Sequence, residues 1–132
     1  MFAWPLRVYY EDTDAGGIVY YANYLKFCER ARTEWLRSLG IEQDTWLQVG
    51  IGFVVRKVEL NLLAPARFND ELEVSCVVDK ARKASVLFSQ QVRRKNGDLL
   101  CEAAVLAACV NLTTMQPIAM PNPILEVITS AV

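Results

Sequence analysis

Apolar positions recur with two different periods along this chain, and the change of period marks out its parts. From about Ala22 to Leu39, the residues Tyr24, Cys28, Ala31 and Trp35 follow one another at steps of three and four, the spacing of one helix face. Leu25, Phe27, Leu36 and Leu39 widen the stripe. Lys26, Glu29, Arg30, Arg32, Glu34 and Arg37 fill the other faces, and Gly40 stands where a C-terminal cap belongs. The pattern predicts one long helix with one side that must pack on something.

Outside that stretch the period falls to two. Leu6 to Tyr10 reads as a short first strand. Phe53 to Leu63 is rich in Val and Leu, and Glu71 to Asp79 alternates, with Leu72, Val74, Cys76 and Val78 on one face. Ala84 to Arg94 and Leu99 to Leu112 flank Asn96-Gly97, a strong hairpin signal. Asp44 to Val49 reads as a short extra turn. Prolines 117, 121 and 123 end the regular structure, before a short C-terminal helix. The order is strand, long helix, then four strands joined by short turns, expected to pair as successive antiparallel neighbours. One helix covered by one antiparallel sheet bent around it is an α+β layer architecture. With no internal repeat or linker, the chain reads as a single domain, 1–132.

Composition narrows the chemistry. A chain of 132 residues can bury a core without disulfides or metals. A formal net charge of −1, from 14 basic and 15 acidic residues, argues against a nucleic-acid partner. Histidine is absent, which removes Ser-His-Asp and Cys-His catalysis and His-ligated metals. Acid–base work falls to carboxylates, tyrosines, lysines or cysteines. Cysteines 28, 76, 101 and 109 form no close pair and have mostly apolar neighbours, so they read as core residues in a reducing cytosol. The opening Met1-Phe2-Ala3-Trp4-Pro5-Leu6-Arg7 lacks the layout of a signal peptide. The most apolar run, Ala103 to Val110, is far below the roughly 20 residues of a membrane helix. A cytoplasmic location with no integral membrane segment is the expectation.

The segment Tyr10-Glu11-Asp12-Thr13-Asp14-Ala15-Gly16-Gly17-Ile18-Val19-Tyr20-Tyr21-Ala22-Asn23-Tyr24-Leu25 resembles the signature of the 4-hydroxybenzoyl-CoA thioesterase family. It resembles most the Tol-Pal-associated acyl-CoA thioesterase branch, which continues into Glu29-Arg30-Ala31-Arg32-Thr33-Glu34-Trp35-Leu36. The block Pro65-Ala66-Arg67-Phe68-Asn69-Asp70-Glu71-Leu72 fits as well. The resemblance implies a hotdog fold, a curved antiparallel β-sheet wrapped around one long α-helix, which agrees with the order of elements above. It also implies dimers joined edge to edge, often paired into a homotetramer, with active sites between subunits. Where the Tol-Pal-associated branch usually has histidine, this chain has Tyr21; the hydroxybenzoyl-CoA branch resembles it there, with an aromatic pair before the helix.

Thioester hydrolysis needs a group that activates water or attacks the carbonyl, and a group that stabilises the oxyanion. A carboxylate does the first, as base or as nucleophile. The unpartnered N–H groups at a helix N-terminus do the second. Asp and Gly alone would mark only a turn or a cap. With the surrounding signature, Asp14 becomes the expected catalytic carboxylate and the Tyr21 backbone N–H the expected oxyanion donor. Asp12 reads as a loop hydrogen-bonder that helps to hold Asp14. Gly16 and Gly17 allow close approach of backbone and acyl chain. Tyr10 either shapes the pocket or fills the core. Asn23, with Tyr24, positions the loop or is an ordinary N-terminal polar residue. Tyr10, Gly16, Gly17 and Asn23 complete the expected acyl side of the substrate site.

Coenzyme A carries phosphates, so a nearly neutral protein needs a local cationic patch. Lys80-Ala81-Arg82-Lys83 and Arg93-Arg94-Lys95 are the two candidates. The resemblance favours the first, with Arg82 and Lys83 as phosphate contacts. The expected function is therefore hydrolysis of short-chain or aromatic acyl-CoA without a cofactor. A carrier-protein thioesterase and a non-catalytic acyl-CoA binding module remain the other readings.

Overall fold

The computed structural model describes residues 2–132. Strand β1 (Ala3–Arg7) is followed by a 3-10 turn at Tyr10–Asp12 and helix α1 (Asn23–Ser38). A short helix α2 (Gln43–Gln48) leads into β2 (Ile51–Leu62), β3 (Glu71–Ser75), β4 (Val77–Ala81), β5 (Ser85–Arg94) and β6 (Leu99–Asn111). A two-residue strand β7 (Gln116–Pro117) and helix α3 (Asn122–Ser130) complete the chain. The strands form one antiparallel sheet in the order β1-β3-β5-β6-β2, with β4 paired to β5 and β7 to β6. This is the α+β hotdog architecture expected from the sequence.

Helix α1 buries Tyr24, Phe27, Cys28, Ala31, Trp35 and Leu36, the expected stripe. Leu25 and Leu39 stay exposed. Leu39 is the C-cap, and Gly40 follows with φ 88°, its N–H donating to Arg37 O. Only glycine enters that left-handed conformation without strain. Across from the helix stand the alternate residues Leu72, Val74, Val86, Phe88, Val92 and Val105, all buried. Trp35 meets Phe88 edge to face, ring centres 5.8 Å apart. From α3, Ile124 and Ile128 join the same core.

Three expectations need correction. The first strand ends at Arg7, and Tyr10 lies in the 3-10 turn. The run Glu71–Asp79 divides at Cys76, because β3 and β4 pair with separate stretches of β5. The strands after the helix are also not successive neighbours: β2 pairs with β6, not β3. The reason is occupancy. One edge of β3 is filled by β1, through pairs such as Leu6 with Leu72 and Trp4 with Val74, and the other by β5. The outer edge of β6 is left, and at 13 residues it matches the 12 of β2. This places β2 on the far edge of the sheet from β1.

Candidate active site

The link between β1 and α1 folds back on itself. Thr13 and Val19 form an antiparallel bridge, and the Asp14 N–H donates to Ile18 O at 3.0 Å. Inside this loop the Asp14 carboxylate oxygen Oδ1 accepts the Gly16 N–H at 2.8 Å. A Cβ on residue 16 would stand 3.1 Å from that same oxygen, so glycine leaves the carboxylate room to fold back. Gly17 has φ 78°, and with its N–H on Asp14 O it closes the turn. Among the described residues no protein donor reaches Asp14 Oδ2, and the side chain is exposed. Asp14 is thus a turn residue through one oxygen, while the other remains available.

Asp12 has the opposite surroundings. It is buried, with Oδ2 accepting the Tyr9 N–H at 2.8 Å and Oδ1 accepting Asn23 Nδ2 at 2.9 Å. Its carbonyl accepts the Tyr20 N–H. Asn23 is itself buried, and its amide is engaged with Asp12 rather than facing outward. These contacts tie the 3-10 turn to the first turn of α1. The loop is also pinned from the other side: the Val19 N–H donates to Ala66 O at 2.8 Å, Ile18 bridges Arg67, and Tyr24 Oη accepts the Ala66 N–H. The two sequence blocks that carry the resemblance are therefore packed against each other.

At the helix entrance, the Tyr20 and Asn23 N–H groups have acceptors in Asp12 O and Tyr20 O. Among the described residues, none takes the Tyr21 N–H. That donor stands beside the positive end of the α1 dipole, the feature an oxyanion site requires. Around it lies an unusual amount of exposed aromatic surface: Tyr9, Tyr10, Tyr20, Tyr21 and Phe68. Tyr10 is 82% exposed, so it does not fill the core, and its ring meets Phe68 edge-on at 5.9 Å. Tyr20 and Tyr21 stack obliquely at 4.9 Å. The Tyr21 phenol, with slight desolvation and the Asp14 charge adding, pushes the Tyr20 phenol above its ordinary value.

The two basic runs separate cleanly. Arg94 is ion-paired to Asp70 and Asp98 and bonded to Pro65 O, Lys95 pairs with Glu71, and Arg93 reaches Gly97 O and Gln91. Lys80, Arg82 and Lys83 take part in no ion pair among the described residues. Arg82 and Lys80 border a hollow of about 550 Å³ on the outer face of the sheet, floored by Leu87 and Leu106. Arg56 and Lys57 of β2 face the same hollow, with Glu59 as its one acid. Lys83 is exposed at the neighbouring turn. The sequence analysis missed Arg56 and Lys57; the available signal was two adjacent charges interrupting an apolar strand, at the bulge in β2. All four cysteines are free and buried, with burial pushing Cys28 to about 11 and Cys76 and Cys101 to about 12. Burial raises Cys109 as well, so all four sit in surroundings that disfavour the thiolate.

Comparison with known proteins follows the same lines. Residues 8–128 match the family model described as the thioesterase-like superfamily. An acyl-CoA thioester hydrolase, YbgC, of Escherichia coli O6:H1 is 46% identical over 124 residues, 94% of this chain and 92% of that protein. The acyl-CoA thioesterase YbgC of Haemophilus influenzae is 45% identical, covering 93% of this chain and 90% of its own. Among solved structures, a 1,4-dihydroxy-2-naphthoyl-CoA thioesterase from Synechocystis superposes with a TM-score of 0.90 at 25% identity, over 97% of this chain and 95% of that one.

Proposed function

We infer the reaction from one premise: this chain belongs to the thioesterase-like superfamily, and its activity is the hydrolysis of acyl-CoA thioesters. In our reading the reaction runs at Asp14. Water adds to the thioester carbonyl, the C–S bond breaks, and the products are a free acid and the coenzyme A thiol. As general base, Asp14 takes a proton from the attacking water and passes it to the departing sulfur. As nucleophile, it forms a mixed anhydride that water then opens. In both routes the carbonyl oxygen becomes an oxyanion that accepts the Tyr21 N–H, a contact worth about 3–4 kcal/mol in the transition state. Asp12 and Asn23 hold the loop in place. Tyr10, with Gly16 and Gly17, borders the acyl entrance, and Arg82 and Lys83 receive the coenzyme A phosphates.

The observation that carries this reading is the difference between two neighbouring carboxylates: Asp12 is buried with both oxygens engaged, whereas Asp14 is exposed with Oδ2 open, seven residues before a helix-entry N–H that, like it, finds no partner among the described residues. The exposed aromatic surface and the unpaired outer edge of β2 support a homodimer joined edge to edge, with the partner closing the site, and a dimer of dimers beyond it. The Tyr20–Tyr21 pair supports aromatic or short acyl groups, as in the hydroxybenzoyl-CoA branch. A place in the Tol-Pal-associated branch, one domain over 1–132 and a cytoplasmic location complete the proposal; no described helix is long and apolar enough to cross a membrane.

Thiol release from a panel of acyl-CoAs tests the assignment. Asp14→Asn keeps the size of the side chain and removes its charge. The proposal expects a loss of about a hundredfold or more, roughly 2.7 kcal/mol of barrier, in a variant that still folds and binds coenzyme A. A folded variant as active as the parent would move the carboxylate elsewhere.

A further inference from the structure

Arg32 is a cation whose surroundings do not account for its charge. It lies on α1, partly buried, and its one side-chain hydrogen bond among the described residues runs from Nη1 to Gln90 Oε1 at 3.0 Å. Gln90 is fully buried and held in place, its Nε2 donating to Cys28 O and Ser75 O. Among the described residues no carboxylate lies within 4.0 Å of the Arg32 guanidinium, although Arg7, Arg37 and Arg94 all have such partners. Burial lowers the Arg32 pKa from its ordinary value, against the opposing influence of Cys28, Cys76 and Glu29. A desolvated charge held by one neutral acceptor is costly, and such groups are normally paired. A guanidinium has five donors in a planar fork, so four remain for something outside the chain.

Arg32 borders a hollow of about 490 Å³ between α1 and the β2 edge of the sheet. Its apolar walls are Leu25, Val55, Val58 and Val105. Its charges are Lys26, Arg30 and Arg32 against the single acid Glu29, a local excess of two positive charges. Leu25, Glu29 and Arg32 stand at steps of four and three, so they form one stripe along the helix. The stripe begins one turn beyond Tyr21 and puts the Arg32 backbone roughly 10 Å further along the axis, with its side chain tilted back toward the helix entrance.

We propose that this hollow takes the far end of the acyl group and that Arg32, fixed by Gln90, reads a carboxylate there, which makes the coenzyme A mono-thioesters of short dicarboxylic acids a substrate class of this enzyme. The apolar walls receive the methylenes, and the carboxylate supplies the missing counter-charge in a bidentate pair. The assignment rests on the thioesterase reading but adds to it a residue and a class of acyl group that the reaction itself does not require.

The test compares chains of equal length with and without the end group: succinyl- against butyryl-CoA, and glutaryl- against valeryl-CoA. The parent protein is expected to favour the carboxylate-ended member at least tenfold in kcat/KM. Arg32→Gln removes the charge, and its shorter side chain also gives up the bond to Gln90; it should bring the ratio close to one through loss on the dicarboxylic substrates. Arg32→Lys should recover part of it. A parent ratio at or below one overturns the proposal. So does an equal loss on both substrates accompanied by a lower mass in light scattering, because Arg32 would then be pairing with a carboxylate of a second copy. If the parent cleaves no acyl-CoA, the reaction assignment fails separately, and thermal shift with free glutarate against pentanoate decides the site. Stabilisation by glutarate in the parent but not in Arg32→Gln upholds it; equal response overturns it.

Discussion

The loop at the entrance to α1 and the hairpin between β5 and β6 each carry charges around a glycine turn, acids alone in the loop and mostly cations in the hairpin, yet they use those charges in opposite ways. In the hairpin, Arg94 is bonded to Asp70, Asp98 and Pro65 O, and Lys95 to Glu71, so the cations hold the sheet to the 65–71 segment. In the loop, Asp12 is engaged in the same inward manner, but Asp14, two residues on, keeps an oxygen facing solvent. The lesson is that residue type does not separate structural from chemical charges. The completeness of their partners does.

The sharpest way to break this comparison is to exchange the two acids' fates. Asp14→Asn is expected to lower kcat about a hundredfold or more with an unaltered melting temperature, read by thiol release and calorimetry. The second effect in size concerns the donor opposite it. Tyr21→His keeps the backbone N–H and should retain activity within about tenfold, whereas Tyr21→Pro deletes the N–H and should cost between a hundredfold and a thousandfold. Equal losses in both would shift the role from the main chain to the phenol.

Asp12→Ala should reverse the pattern of Asp14→Asn. It leaves the Tyr9 N–H and the Asn23 amide without acceptors in a buried place, which amounts to about 2–4 kcal/mol of stability by urea unfolding. Activity would then fall only as far as the loop loosens. A stable Asp12→Ala protein would remove the distinction between the two carboxylates.

The smallest effects separate the two basic runs. Arg82→Gln is expected to raise KM for acyl-CoA roughly threefold to tenfold, most clearly at low salt, without changing the urea midpoint. Arg94→Gln should do the reverse, lowering the midpoint through loss of its part-buried pair with Asp70 and leaving KM near the parent value.

How much of this was legible beforehand differs by element. Helix α1 was readable to within a residue at each end, because a 16-residue amphipathic stripe with a glycine stop leaves few alternatives. The Asn96-Gly97 turn was equally plain. The position of β2 was not, since pairing choice depends on which edges are already filled, and β1 had taken the edge of β3. For the candidate site, Asp14, Gly16, Gly17 and Tyr21 were proposed from a contiguous signature. Arg56 and Lys57 come from β2 and Phe68 from the turn after it, and no local period announces them.

The sequence by itself determined the kinds of chemistry open to this protein. It has no histidine, and its Asp-rich, Gly-rich loop directly precedes a helix. It also determined the helix, the alternation of the strands and the burial of the cysteines, since all of these follow from local spacing and composition. Tertiary structure decided which like residues differ. It gave Asp12 two donors and Asp14 one, paired Arg94 and not Arg82, and left Arg32 with a single neutral acceptor. The physical reason is that a charged group's role is set by the partners that reach it: Asp70 and Gln90 lie 24 and 58 residues from the arginines they meet, and Asn23 reaches Asp12 only once the loop has folded back.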